Sequence, residues 1–200
     1  MEKFIATLIY FFAVIDPIGS VPVFISVTNG YSDVHKKEIA YRAILVSAII
    51  LVAFVLIGEF VLKAVDIPIP AFQIAGGIVL FLFALSMIFG ESKPEEEKKM
   101  EGGSDVSVFP LAMPSIASPA AILAAVLLTE NAQYSIWEQA LTVLAILLVL
   151  GITLKFLLLS NRIYHVIGEA GAAIISRIMG LILTSVAVTQ VLMGIQEFFK

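Results

Sequence analysis

Apolar residues run in six blocks along this chain, at 4–28, 40–62, 71–90, 107–129, 138–160 and 175–196. Each block approaches the ~20 residues that a helix needs to cross a hydrocarbon core of ~30 Å. The stretches between them are short and only weakly polar. The exception is "ESKPEEEKKMEGGSDV" at 91–106, whose charge, Pro94 and Gly102–Gly103 predict a solvated loop. The pattern predicts an all-α membrane protein with six transmembrane helices. A first three-span half covers 1–90, a linker loop 91–106, and a second half 107–200.

Two blocks are interrupted. Residues 15–24 read "IDPIGSVPVF", placing Asp16, Pro17, Gly19 and Pro22 inside an apolar run. Proline lacks the N–H that a helix interior uses and clashes with the preceding turn. A carboxylate at mid-membrane costs about 2.5–3.5 kcal/mol on insertion scales. The break recurs: "PIGSVP" at 17–22 is matched by "PSIASP" at 114–119, both Pro-x-x-x-x-Pro, and both in the first span of a half. Gly77 and Ala84 in span three have counterparts at the same spacing in Gly180 and Ala187 of span six. The offsets between halves are 97 for the prolines and 103 for this pair, a shift that loop lengths absorb. A half with an odd number of spans must insert opposite to its twin. That predicts two inverted three-helix repeats, the plan of many secondary transporters, with broken helices meeting near the midplane. Depth agrees: at ~1.5 Å per residue, Asp16 lies about 18 Å in from Phe4 and Ser115 about 10 Å in from Val108, from opposite sides.

Composition strengthens the membrane assignment. The chain is 60% hydrophobic and 14% charged, with mean hydropathy +1.04; a soluble domain has roughly half and a quarter. Cysteine is absent, which excludes disulfide scaffolds, thiolate metal sites and thiol catalysis. A net charge of −4 without a dense basic patch argues against nucleic acid. The first block carries Lys3 but lacks a small-x-small cleavage site, so it reads as a retained span. Nine of the 12 basic residues, from Lys36 and Lys37 to Lys155, Arg162 and Arg177, flank the loops after spans one, three and five. Basic loops stay in the cytoplasm. The expectation is a multi-pass protein of the cell membrane with both termini outside and loop 91–106 cytoplasmic.

An unwound helix in lipid frees N–H and C=O groups that only protein, water or a ligand can satisfy. A half-helix N-terminus favours an anion, whereas free carbonyls with Asp16 suit a cation. Two opposed breaks therefore form a cradle for a small zwitterion.

The segments "DPIGSVPVF", "FQIAGGIVLFLFALSMIFG" at 72–90, "FPLAMPSIASPAAI" at 109–122 and "SRIMGLIL" at 176–183 together resemble the MarC family of six-span membrane proteins. The resemblance implies a transporter of small neutral amino acids such as glycine, alanine or serine. It carries one motif onto Asp16, Pro17, Gly19 and Pro22 and another onto Pro114, Ala117 and Pro119. This chain departs from the usual pattern at Ser118-Pro119-Ala120, at Ser115 and at Gln73, which bears on substrate size and hydrogen bonding.

The expected substrate contacts are Asp16, Gly19, Ser20, Ser115, Ala117 and Ser118, with Ser86, Thr189 and Gln190 as cavity lining. Each has a plainer role open to it. Asp16 can cap the half-helix after its break, and the serines can bond their own backbone or let helices approach closely. Glu59, the other acid in a span, has Lys63 one turn on. Gly76–Gly77 suits a close helix contact, within the bundle or in a homo-oligomer. No cofactor is expected, and a coupling ion, proton or sodium, is left open. The runner-up is drug or metabolite efflux on the same architecture. An intramembrane enzyme would need a nucleophile with a base, or a metal cluster, and no histidine or second deep carboxylate joins Asp16.

Overall fold

The computed structural model describes residues 2–89, 105–129 and 134–199, and among these it is all helix. The helices are α1 (Glu2–Ile15), α2 (Ser20–Val27), α3 (Asp33–Ala64), α4 (Ile69–Phe89), α5 (Pro119–Leu127), α6 (Ile136–Leu158) and α7 (Ser160–Phe198). A wide-turned segment, Ser107–Ile116, precedes α5. Nearly all of the expected loop at 91–106 lies outside the described residues, as does 130–133.

Five helical stretches are long and apolar enough to cross a membrane: 3–27, α3, α4, α6 and 170–198. Ser107–Ile116 and α5, bent by 56° at their junction, make up to a sixth. The protein is thus an integral membrane type with five to six spans. Burial differs sharply among them. The apolar window within 3–27 is 67% buried inside the protein, that of α3 only 17%. The interrupted first helix is therefore central, and the long continuous helices face lipid.

Local chemistry sets the ends. Ser32 caps α3 by accepting from His35 N, which starts that helix well before the apolar block. Ser135 and Glu138 form a reciprocal capping box at α6. Glu59 and Lys63 pair at 2.5 Å in the last turns of α3. Between α6 and the last span the chain makes a short helical piece, 160–167, that the hydrophobic pattern does not reveal. Gly168 ends it at φ +67°, a left-handed conformation that glycine adopts without strain. His165 lies in this piece.

The most extensive contact joins α4 and α7, which run antiparallel. Glycines bring their backbones together. A Cβ on Gly180 would lie 3.0 Å from Ala84 O, one on Gly77 3.1 Å from Ala187 O, and one on Gly194 2.9 Å from Pro70 O. Apolar side chains gain little by meeting each other rather than lipid, so such close backbone packing holds the bundle.

Replacing Gly180 or Gly194 by Leu should destabilise the protein by about 1–3 kcal/mol, the usual range for overpacking. Gly151→Leu, at a glycine with open space around it, should change little. Thermal unfolding in one detergent compares all three; equal effects would mean that the α4–α7 contact is not close.

Candidate functional site: two helix breaks and a cavity

At the first break the chain leaves the helix at Asp16, whose φ is +49°. Asp and Asn tolerate this left-handed conformation better than most residues. Asp16 N still donates to Phe12 O (3.0 Å), and Ser20 N donates to Asp16 O (3.0 Å). The backbone thus satisfies itself across the interruption. Pro17 opens the turn, and Pro22 sits in the first turn of α2, where no helical partner for an N–H exists.

The Asp16 carboxylate is 1% exposed. Oδ1 accepts from Gly19 N at 3.0 Å, and Oδ2 accepts from the Ser176 hydroxyl of α7 at 2.6 Å. A Cβ on Gly19 would fall 2.1 Å from Oδ2, so glycine is required for the carboxylate to lie there. Ser20 donates its hydroxyl to Asp16 O at 3.0 Å. The capping role is what the geometry displays. The Ser176 clamp, joining the first break to the last helix, was not legible in the sequence.

The second break is built differently. Phe109 and Met113 are extended (φ −131° and −137°), each preceding a proline, as expected from the crowding that Pro imposes on its predecessor. Ala117 N donates to Ala112 O at 2.8 Å. Ser118 is the N-cap of α5, accepting from Ala121 N at 3.2 Å, and Pro119 takes the first helical position. Ser115, Ala117 and Ser118 are fully buried. The Ser47 hydroxyl of α3 lies 3.4 Å from Ala112 O. α1 packs on α5, and α2 on 107–116, so the two interrupted helices cover each other.

The principal cavity lies beside the breaks rather than in them. It holds about 650 Å³ between α1, the end of α5 and α7, with Lys3, Thr7 and Tyr134 around it at one end and Ala13 one helical turn from Asp16 at the other. Ile182, Leu183 and Val186 give it an apolar wall. Its polar groups are few. The Tyr10 hydroxyl is buried with no hydrogen-bond partner among the described residues. Gln190 also lines it and accepts at Oε1 from Gln73 Nε2 at 2.7 Å, while Gln73 Oε1 is buried without a partner among those residues. Of the three expected lining residues only Gln190 reaches this space. Ser86 and Thr189 bond carbonyls of their own helices. Asp16, Gly19, Ser20, Ser115, Ala117 and Ser118 are not in its wall.

Ion pairs tie the start of each broken segment to a long helix. Lys3 pairs with Glu138 of α6 at 3.0 Å, and Asp105 with Arg42 of α3 at 2.8 Å. The Ser107 hydroxyl and N–H bond to Asp105 and, with Arg42 beside it, hold its carboxyl below the usual range.

Two outcomes follow from this geometry. Asp16→Asn should keep near wild-type thermal stability, since an amide oxygen still accepts from Gly19 N. Asp16→Ala should lose roughly 0.5–2 kcal/mol of cap and leave the Ser176 hydroxyl buried. Equal melting of both variants would remove the capping role. At Asp105 the depressed pKa means that its contribution is present above the unfolded value and is lost as pH falls through the folded one. The protection factors of the amides in 107–112 should therefore stay constant from neutral pH down to about pH 4 and fall below it; Asp105→Asn should show the lowered protection already at pH 7.

The whole chain has relatives. Residues 1–199 match the family model described as "MarC family integral membrane protein". A UPF0056 membrane protein of Methanocaldococcus jannaschii is 37% identical, covering 98% of this chain and 97% of that one. The UPF0056 membrane protein YvbG of Bacillus subtilis is 35% identical over 94% of this chain and 92% of its own. The UPF0056 inner membrane protein YhgN of Escherichia coli is 32% identical over the full length of both. No solved structure matches this chain. With a full-length match to the family model and end-to-end relatives above 30% identity, the chain belongs to the MarC family of integral membrane proteins.

Proposed function

We propose that this protein is a secondary transporter made of two inverted three-helix repeats, moving a small neutral amino acid across the cell membrane. The observation that carries the reading is reciprocal packing. Gly77 meets Ala187 while Gly180 meets Ala84, so exchanging the halves at the offset of 103 maps this contact onto itself. Other contacts obey the same exchange. α1 packs on α6 as 107–116 packs on α3, and α2 packs on α7 as α5 packs on α4. Since α4 and α7 run antiparallel, such halves are inserted in opposite senses, the arrangement that supports alternating access.

The cavity breaks this symmetry. It lies along α1 at the end bearing Lys3, although an ion pair ties the start of each half alike, Lys3 to Glu138 and Asp105 to Arg42. A cavity entered from one end suits one state of an alternating-access cycle. By the distribution of basic residues the open side is the outer one, with both termini outside. A volume of about 650 Å³ lies within the ~300–1,000 Å³ of small-molecule sites. Tyr10 and Gln190 offer donors to a carboxylate, and Gln73, outside the lining, holds the Gln190 amide through its Nε2. Asp16 and the breaks lie beyond Ala13 and would be reached by ligand or coupling ion, proton or sodium, when the broken helices part. The largely apolar wall favours a second reading, efflux of a larger apolar compound.

Counterflow in proteoliposomes separates these. Saturable counterflow of glycine, alanine or serine is expected, with Tyr10→Phe weakening affinity about tenfold, or ~1.4 kcal/mol. Ala6→Trp, in the cavity wall at an exposed position, should block it while the protein stays folded. Counterflow of apolar compounds alone would favour efflux; no counterflow of either class would end the transporter reading.

A further inference from the structure

A second recess, remote from the cavity, lies where the start of α3 meets the joint between α6 and α7. It holds about 330 Å³. Its polar lining is Lys36, Lys37, Arg162, Ser160 and Asn161, with Asp33 as the one acid. Phe24 and Leu157–Leu159 supply its apolar side chains. The ion pairs of the described residues are Lys3–Glu138, Arg42–Asp105 and Lys63–Glu59. Lys36, Lys37 and Arg162 have none among those residues. Three cations thus converge on one recess against a single carboxylate.

Position narrows what fits there. Lys36 and Lys37 lie in the first turns of the α3 span, and Leu157 and Leu158 end the α6 span. The recess is therefore at the boundary between hydrocarbon and water. The short helix 160–167 leaves it and turns at Gly168 into the last span. We propose that this recess binds the headgroup of an anionic phospholipid. The phosphate sits among Lys36, Lys37 and Arg162, and the glycerol and upper acyl chain lie along Phe24, Leu157 and Leu158. Basic pockets between spanning helices on the cytoplasmic side bind such headgroups, and arginine presents a planar fork suited to phosphate. A free phosphate ion uses the same cations but gains nothing from the apolar side, which is why the lipid is the occupant assigned. The site requires neither transport nor any ligand in the cavity.

The test uses the full-length protein, stripped of lipid by washing in a neutral detergent. Binding is titrated with short-chain phosphatidylglycerol, short-chain phosphatidylcholine and inorganic phosphate as probes. Phosphatidylglycerol should bind at least tenfold more tightly than either of the others. The triple variant Lys36→Gln, Lys37→Gln, Arg162→Gln should lose that preference, with its melting temperature in detergent unchanged. Lys63→Gln, a cation at the opposite end of α3, should keep it. Equal binding of the two lipids, or a triple variant that binds like wild type, overturns the proposal. Inorganic phosphate as tight as phosphatidylglycerol overturns it in favour of a free-anion site. Should the triple variant melt early, the three single variants replace it, and undiminished binding in all three is the overturning result.

Discussion

Inside a bilayer the backbone must satisfy its own hydrogen bonds, and the rest of this structure depends on how the two interrupted helices meet that demand. Lipid offers no donor or acceptor, so broken helices survive only where protein encloses them. Here the enclosure is mutual. α1 lies on α5 and α2 on 107–116, and the long helices wrap outside. Within that shelter each break closes its own bonds by a different device. The first uses a left-handed aspartate whose backbone and carboxylate both serve the turn after it. The second uses extended residues before prolines, then a serine cap. Similar sequence elements therefore reach the same end by unlike conformations.

The enclosure in turn rests on the α4–α7 contact. Backbones can approach closely there because glycine removes the Cβ on both helices in alternation, at Gly77 on one and at Gly180 and Gly194 on the other. Ser176 lies on the same helix as Gly180, one turn earlier, and holds the Asp16 carboxylate at 2.6 Å. Movement of α7 along α4 would thus be felt at the first break directly. The close packing and the buried clamp belong to one rigid element.

Much of the fold was legible from the chain because lipid imposes a simple rule: about 20 apolar residues per span. The breaks were legible for the complementary reason, since Asp and Pro in such a run conflict with it. What escaped was whatever depends on tertiary contact. Ser176 is an ordinary small residue in a helix until Asp16 is placed beside it. The pairing of Gln73 with Gln190 spans 117 positions and leaves no local trace. The helix 160–167 escaped because its mixed composition matches neither a span nor a turn. The expected open cradle was read from unwinding alone, which assumes that freed backbone groups seek a ligand. Local bonds at Asp16, Ser20, Ala117 and Ser118 meet part of that demand from within.

That closure changes what a ligand must do. With those local bonds in place, Asp16 already accepts from two donors, Gly19 N and the Ser176 hydroxyl. The unmet polar group in the cavity wall lies nearly two helical turns away, at the Tyr10 hydroxyl. A leftover hydrogen-bonding group in an apolar surround costs about 1–3 kcal/mol, and a ligand that satisfies it recovers that amount as binding energy. In the proposed transporter, recognition and movement fall to neighbouring but separate groups: the cavity polar set would read the ligand, while the Asp16–Ser176 clamp holds the broken helix against α7. A ligand that binds more tightly once the clamp has opened shifts the balance between the two arrangements by its difference in affinity, and by no more.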